Sequence, residues 1–175
     1  LMALDDYTTG VLNKLRLDAT NRPFYTPALM AYLRGVGLSL SNAEDTRARS
    51  RGEAQVDYQN QMDAAQRDYT NDRRNTTANL VSRGILRSGE SDRRYTDQDQ
   101  ANARRQNDIE VNRSNRLTAV DRAYQGVEDT LRQQTTERLL QAEQEDADRR
   151  ATQEANMRAQ QQLLDFYKGK GNKNG

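Results

Sequence analysis

The stretch 79-NLVSRGILRSGESD-92 breaks a long polar run with a knot of aliphatic residues and two glycines, and its reading decides the fold. If a helix stops near Arg83, Gly84 falls at the left-handed position just past its end and Ile85 follows. Ile85 can then cover Leu80 one turn back, the hydrophobic contact that commonly closes such an end. Ser88 can cap a second helix with Glu90 and Ser91 in its first turn and Asp92 just beyond, which sets acids at the positive end of the helix dipole. Gly84, Ile85, Ser88 and Gly89 are therefore expected to reverse a helical hairpin. The alternative makes the segment RGILRSG an anion site, with amides near Ser88 and Gly89 and charge from Arg83 and Arg87. It lacks the glycine spacing and the following Lys and Ser or Thr of a phosphate-binding loop.

Before this corner, residues 41 to 82 contain no proline and only Gly52, so the pattern predicts one helix of about 42 residues, roughly 63 Å long. Its thin seam runs Ala54, Tyr58, Met62, Ala65, Tyr69, Arg73, Thr76 and Leu80, a repeating step of four, four and three. That is an 11-residue period, 3.67 residues per turn, and it favours straight or slightly right-handed packing. The segment DYQN at Asp57 is echoed by DYTN at Asp68.

After the corner, a second run from Glu90 to about Tyr167 is interrupted only by Gly126. Ile109, Leu117, Val120, Tyr124, Val127, Leu131, Leu139 and Ala142 mark its apolar seam, while Asn112, Arg113, Gln134 and Thr135 fall into gaps. Ala147, Ala151, Ala155, Ala159 and Leu163 then recur at every fourth position. A single helix of about 77 residues would span about 115 Å and overhang the first by about 50 Å. One glycine and no proline between 125 and 129 argue against a reversal there, so the overhang is expected to pair with other chains. A polar seam can set register in a larger bundle.

The N-terminal part reads differently. Val11, Leu12 and Leu15 share one side of a short helix, and DATNRPFY reads as a loop. Thr26 can cap a further helix with Pro27 in its first position. Leu29, Leu33, Val36 and Leu40 make the most apolar face of the chain, with Gly35 and Gly37 weakening it or admitting another backbone. Residues 1–40 are thus expected to be a docking segment that anchors to a larger body, 41–167 a long helical hairpin turning at 83–89, and 168–175 a flexible basic tail.

Composition sets the limits. Hydrophobic residues make up 34% and charged residues 30%, with a mean hydropathy of −1.13, so one core for the whole chain is not expected. Ten glycines and two prolines are too few breakers for a linker, and helices that gain stability from packing remain. There is no Cys and no His, which removes disulfides, thiol nucleophiles, zinc fingers and imidazole bases. Lysine is confined to Lys14, Lys168, Lys170 and Lys173, and the bias to arginine reflects a high-GC genome or a need for bidentate pairing, the genomic reading being preferred. Residues 90 to 166 carry 12 Arg against 16 Asp and Glu, a mixed surface without the basic stripe of a nucleic-acid binder. No apolar run approaches the roughly 20 residues of a membrane span. The chain opens at Leu1 and reads as a processed product or a piece of something longer.

The search for chemistry is short. Asp97 with Asp99, and Glu143, Glu145, Asp146 and Asp148, are acid clusters with arginines beside them, and ion pairing is their ordinary outcome. Carboxylate catalysis needs a pocket that this composition can hardly build. Tyr58, Tyr69, Tyr95 and Tyr124 suit a half-wet helix interface better than base stacking, which needs a basic groove. The face from Ala28 to Leu40 lacks the Lys and Arg of a membrane-surface helix. Catalytic residues, cofactors and metals are therefore not expected, nor are nucleic-acid or membrane partners.

The segment DYQNQMDAAQRDYTNDRRNTTANLVSRGILRSGESDRRYTD resembles helical segments of virion structural proteins of tailed bacteriophages, in which a polar Ala, Gln and Arg-rich helix runs into an R-G-hydrophobic-hydrophobic-R-S-G turn and a second polar helix. The resemblance covers about residues 54 to 165. It implies a minor virion component of the tail, tail tip, neck or fibre region, assembled in the host cytoplasm as a symmetric homo-oligomer, trimer or hexamer, with other virion proteins as partners. The interface residues would be Leu29, Leu33, Val36, Leu40, Tyr58, Tyr69, Val120, Tyr124, Val127 and Leu131. A DNA-associated or packaging accessory and a cellular coiled-coil scaffold or adaptor are the other classes compatible with this composition. The fold class expected throughout is all-α, with long extended helices in a helical hairpin or coiled-coil-like bundle.

Overall fold

Thr26 shows how the long helices are started. Its hydroxyl accepts from the Leu29 amide at 3.2 Å and its carbonyl takes the Met30 amide at 2.9 Å, so the chain enters helix at Pro27. The computed structural model describes residues 6–18 and 26–171, and it is all-α: α1 (Asp6–Lys14), α2 (Pro27–Ser82) and α3 (Gly89–Gly171). The two long helices pack on each other as a helical hairpin. Gly126 does not break α3. Two compact units divide the chain, one made of residues 1–41 with 127–175 and the other of 42–126.

The corner has the expected geometry. Gly84 has φ +70, its amide donates to Val81 O at 3.0 Å, and the Ile85 amide reaches back to Leu80 O at 3.0 Å, the paired bonds of a Schellman end. Leu80 is fully buried and Ile85 half-buried. Ser88 caps α3: its carbonyl takes the Ser91 and Asp92 amides at 3.1 and 3.4 Å, and the Ser91 amide also points to its hydroxyl at 3.4 Å. Gly89 is therefore the first residue of α3. The Ser91 and Asp92 amides are taken up by Ser88 and Arg83 faces Glu90 at 3.4 Å, so the corner closes as a helix reversal with its own capping bonds.

The unit formed by residues 1–41 and 127–175 holds the apolar core. Leu12, Leu29, Met30, Leu33 and Leu139 form one buried cluster, with Val11, Leu15, Val36 and Leu40 forming a second; Leu17 and Tyr32 pack against both. This corrects one expectation. The face of Leu29, Leu33, Val36 and Leu40 is covered by α1 and by Leu131, Leu139 and Ala142 of α3, so it serves its own chain instead of anchoring a larger body. An apolar face requires a cover, and its own chain supplies it. The boundary placed at residue 40 coincides with no helix end, because α2 runs unbroken through it.

The approach of α1 depends on Gly37. A Cβ there would lie 2.7 Å from Val11 Cγ2 and nearer still to the Tyr7 hydroxyl, whereas Gly35 faces open space. Below α1, Arg16 repeats the corner's geometry without a glycine: at φ 56, its amide bonds Asn13 O at 3.0 Å and the Leu17 amide bonds Leu12 O at 2.9 Å. An L-residue in this conformation costs about 1–2 kcal/mol, part of which glycine would give back as unfolded-state entropy. Arg16→Gly is expected to stabilise this unit by about 0.5–1 kcal/mol, read as a rise in the urea midpoint; a fall would show that the arginine side chain contributes more than its backbone strain removes.

The last expectations fall at the ends. The loop DATNRPFY lies mostly outside the described residues, as does the end of the basic tail; residues 168–171 belong to α3. Val127 is 42% exposed and off the packed face, because the next covered position after Tyr124 is Glu128, four residues on.

Candidate functional site

In the unit of residues 42–126, the covered positions of α2 are the expected ones. Ala54, Ala65 and Leu80 are buried, while Tyr58, Met62, Tyr69, Arg73 and Thr76 are half-buried. Covered positions of α3 follow the same 11-residue step, through Ser91, Asn102, Arg113 and Tyr124 in this unit. In the other unit, buried Thr135 and half-buried Asp146 continue that series along the helix. Arg113 and Thr135 are therefore seam residues, although an apolar count leaves them in gaps.

This seam is built from arginine stacked on tyrosine. Arg47 lies 4.7 Å over the Tyr124 ring and donates to Asp121 Oδ1 at 2.8 Å. Eleven residues along both helices the roles exchange, with Arg113 of α3 4.6 Å over Tyr58 of α2. Nearer the corner Arg73 lies 4.8 Å over Tyr95 and pairs with Asp99, whose Oδ1 also accepts from the Tyr69 hydroxyl at 2.6 Å. The guanidinium offers an apolar face to the ring and an edge of donors to acids, so one side chain fills a seam too polar for leucine. Arginine richness therefore has a structural use here, which genome composition does not convey. Tyr58, Tyr69 and Tyr124 are interface residues within the chain, and Val120 and Leu131 are half-buried in it.

Ion pairs repeat at the same step outside the seam. Asp57 meets Arg116 at 2.6 Å and Asp68 meets Arg105 at 2.9 Å, so the echo of DYQN by DYTN is answered on α3 by arginines that are also 11 apart. Each exposed pair contributes only about 0–1 kcal/mol, but together they penalise any shift of one helix along the other. Asp99, a member of the acid pair considered for chemistry, is engaged by Arg73 and Tyr69.

One small cleft lies in the same unit. It measures about 130 Å³ and is bordered by Ala65, Tyr69, Asp72, Gln98, Asn102 and Arg105. Gln98 donates to Thr76 Oγ1 at 2.6 Å, but its Oε1 and Asn102 Oδ1 are buried without a protein hydrogen bond. A cleft of this size and polarity suits ordered water, since the small Ala65 leaves the space and two acceptors line it. Among the described residues, no three acids gather in a way that could hold a metal, and no helix is long and apolar enough to cross a membrane.

Tyr58 offers a titration. A hydrogen bond to Glu110 raises its phenol above the ordinary value, with partial burial adding to the shift and Arg113 opposing it. A raised acid is one whose neutral form the fold favours, so its contribution is complete below the unfolded value of about 10 and disappears as pH climbs through the raised value. Tyr58→Phe cannot titrate. The Tm of the native chain is expected to fall more steeply than that of Tyr58→Phe above about pH 10; parallel falls would mean that the phenol takes no part.

No protein-family model, curated protein or solved structure matches this chain.

Proposed function

We propose that this chain is a non-enzymatic structural component of a tailed-phage virion, in the tail, tail-tip, neck or fibre region, which assembles through helix packing as a symmetric homo-oligomer and with other virion proteins. The observation that carries the assembling role is the end of α3. Helix α3 has 83 residues against 56 in α2, and every residue from Ala147 to Tyr167 is exposed, Met157, Leu163, Leu164, Phe166 and Tyr167 among them. Large apolar side chains along an uncovered helix mark an interaction surface. The phage context rests on the resemblance of residues 54 to 165.

The charge pattern favours this reading over a DNA-associated one. Arg47, Arg73, Arg105 and Arg116 face Asp121, Asp99, Asp68 and Asp57, so these four arginines are engaged by acids instead of being left for phosphates. The test is quantitative mass spectrometry of particles purified by density gradient from the source. Peptides of this chain are expected to band with the particles at a fixed ratio to the other virion proteins. Recovery only in the unbanded fraction would overturn the virion assignment.

A further inference from the structure

The covered face of α3 steps at four, four and three through its packed length and reaches Asp146, beyond which every described side chain is exposed. Five of the thirteen large hydrophobic residues exposed among the described residues fall between Met157 and Tyr167, so the uncovered length is also the most apolar surface. Ala151, Ala155, Ala159 and Leu163 form a row at every fourth position across it.

We propose that residues 143–167 of α3 pair antiparallel with the same residues of a second copy of this chain, about a two-fold at the level of Met157. The inference rests on the assembling role above and names its partner. Small side chains at every fourth position let two helix axes come close, and at a shallow crossing of about 20° the two segments stay side by side along their length. The row is self-complementary only when antiparallel. Ala155 and Ala159 stand two residues either side of Met157 and meet each other's counterparts, while Ala151 and Leu163 stand six either side, setting a large residue against a small one. In a parallel pair Leu163 would meet Leu163 and Ala151 would meet Ala151, which overfills one end and leaves a gap at the other.

Charge selects the same orientation. Glu143, Glu145, Asp146 and Asp148 open the segment and outnumber Arg149 and Arg150, the latter paired with Asp146 at 2.8 Å, while Lys168 and Lys170 follow it; antiparallel copies bring this net acidic end toward lysines, whereas parallel copies set it against itself. An anionic bilayer would suit Leu164, Tyr167 and the lysines, but not that acid block or Asp165 within the apolar cluster. A two-fold contact agrees with a hexamer among the expected assemblies and not with a trimer alone.

The chain has no cysteine, which makes the register directly testable in the full-length protein. Ala151→Cys and Leu163→Cys are prepared separately and oxidised alone and as a mixture. Disulfides form only when Cβ atoms come within about 4.5 Å, and in the antiparallel pair two Leu163 lie about 18 Å apart along the axis. The mixture is expected to give the mixed disulfide dimer, with neither variant linking to itself. Ala155→Glu keeps helix propensity but buries two like charges at the crossing; it is expected to raise the dimer Kd by about a hundredfold or more, read by light scattering with helicity checked by circular dichroism. Self-linking of Leu163→Cys would overturn the orientation. An unlinked mixture, an Ala155→Glu dimer of native strength, or a native chain that stays at 20.0 kDa while binding phosphatidylserine vesicles would overturn the partner. Because these readouts use the isolated chain, a failed cross-link leaves the virion assignment standing, and absence from particles leaves the pairing standing.

Discussion

Leu33→Ala is expected to release α1. Leu33 is fully buried where Leu12, Leu29 and Leu139 meet, and truncating such a leucine costs about 2–5 kcal/mol, because its lost transfer energy adds to that of the cavity left behind. Helix α1 has nine residues, too few to persist without packing, so it depends on this cluster and on the one containing Val11 and Leu15. Hydrogen exchange is the measurement. Amides of α1 are expected to lose most of their protection while those of residues 54–113, in the other compact unit, keep theirs. Leu38→Ala is the control, since Leu38 is 64% exposed one turn away and its loss should stay within about 0.5 kcal/mol. Protection of α1 at the native level in Leu33→Ala would show that the cluster does not hold it.

The sequence made some of these features legible and hid others for physical reasons. Helix ends are local events, so Thr26, Gly84, Ile85 and Ser88 could be read from turn and cap chemistry, and hydrogen bonds with those partners are present. The 11-residue rhythm of α2 was legible because alanine, tyrosine and leucine carry it. The same rhythm in α3 runs through Ser91, Asn102, Arg113 and Thr135, and counting apolar residues passes over all four. An 11-residue search of every residue type from Ser91 onward would have found it, and would have placed Glu128 instead of Val127 on the packed face. Arg16 is illegible for the opposite reason: it is an exposed residue with no preference for positive φ, and it stands between Leu15 and Leu17, whose side chains pack into the core. An apolar face announces that something covers it but not what: Leu29 to Leu40 point to a different molecule as readily as to the actual cover, which is the nearby Val11, Leu12 and Leu15 together with Leu131 and Leu139, more than ninety residues along the same chain.

Gly84→Val should be the most damaging change at the corner, and the way it damages separates conformation from crowding. A Cβ built on Gly84 meets nothing within 4 Å, so the Cβ itself is not crowded; the penalty comes from φ +70. Asparagine enters this region readily, alanine at about 1–2 kcal/mol, and a β-branched residue only as an outlier. The expected stability order is therefore Gly, Asn, Ala, Val, with Val losing about 2–3 kcal/mol by urea midpoint. The consequence extends along the seam because the corner is where the register begins. Arg47 over Tyr124 and Arg113 over Tyr58 are stacked in step because α2 and α3 leave Gly84 and Ser88 in fixed phase, and a corner forced to a negative φ turns one helix against the other. Gly84→Val is accordingly expected to weaken protection at Tyr58 and Arg113 as well as at Leu80. Equal midpoints for Asn, Ala and Val would show that the left-handed residue is dispensable, and the register would then have to come from the contacts along the seam, the ion pairs of Asp57 and Asp68 among them.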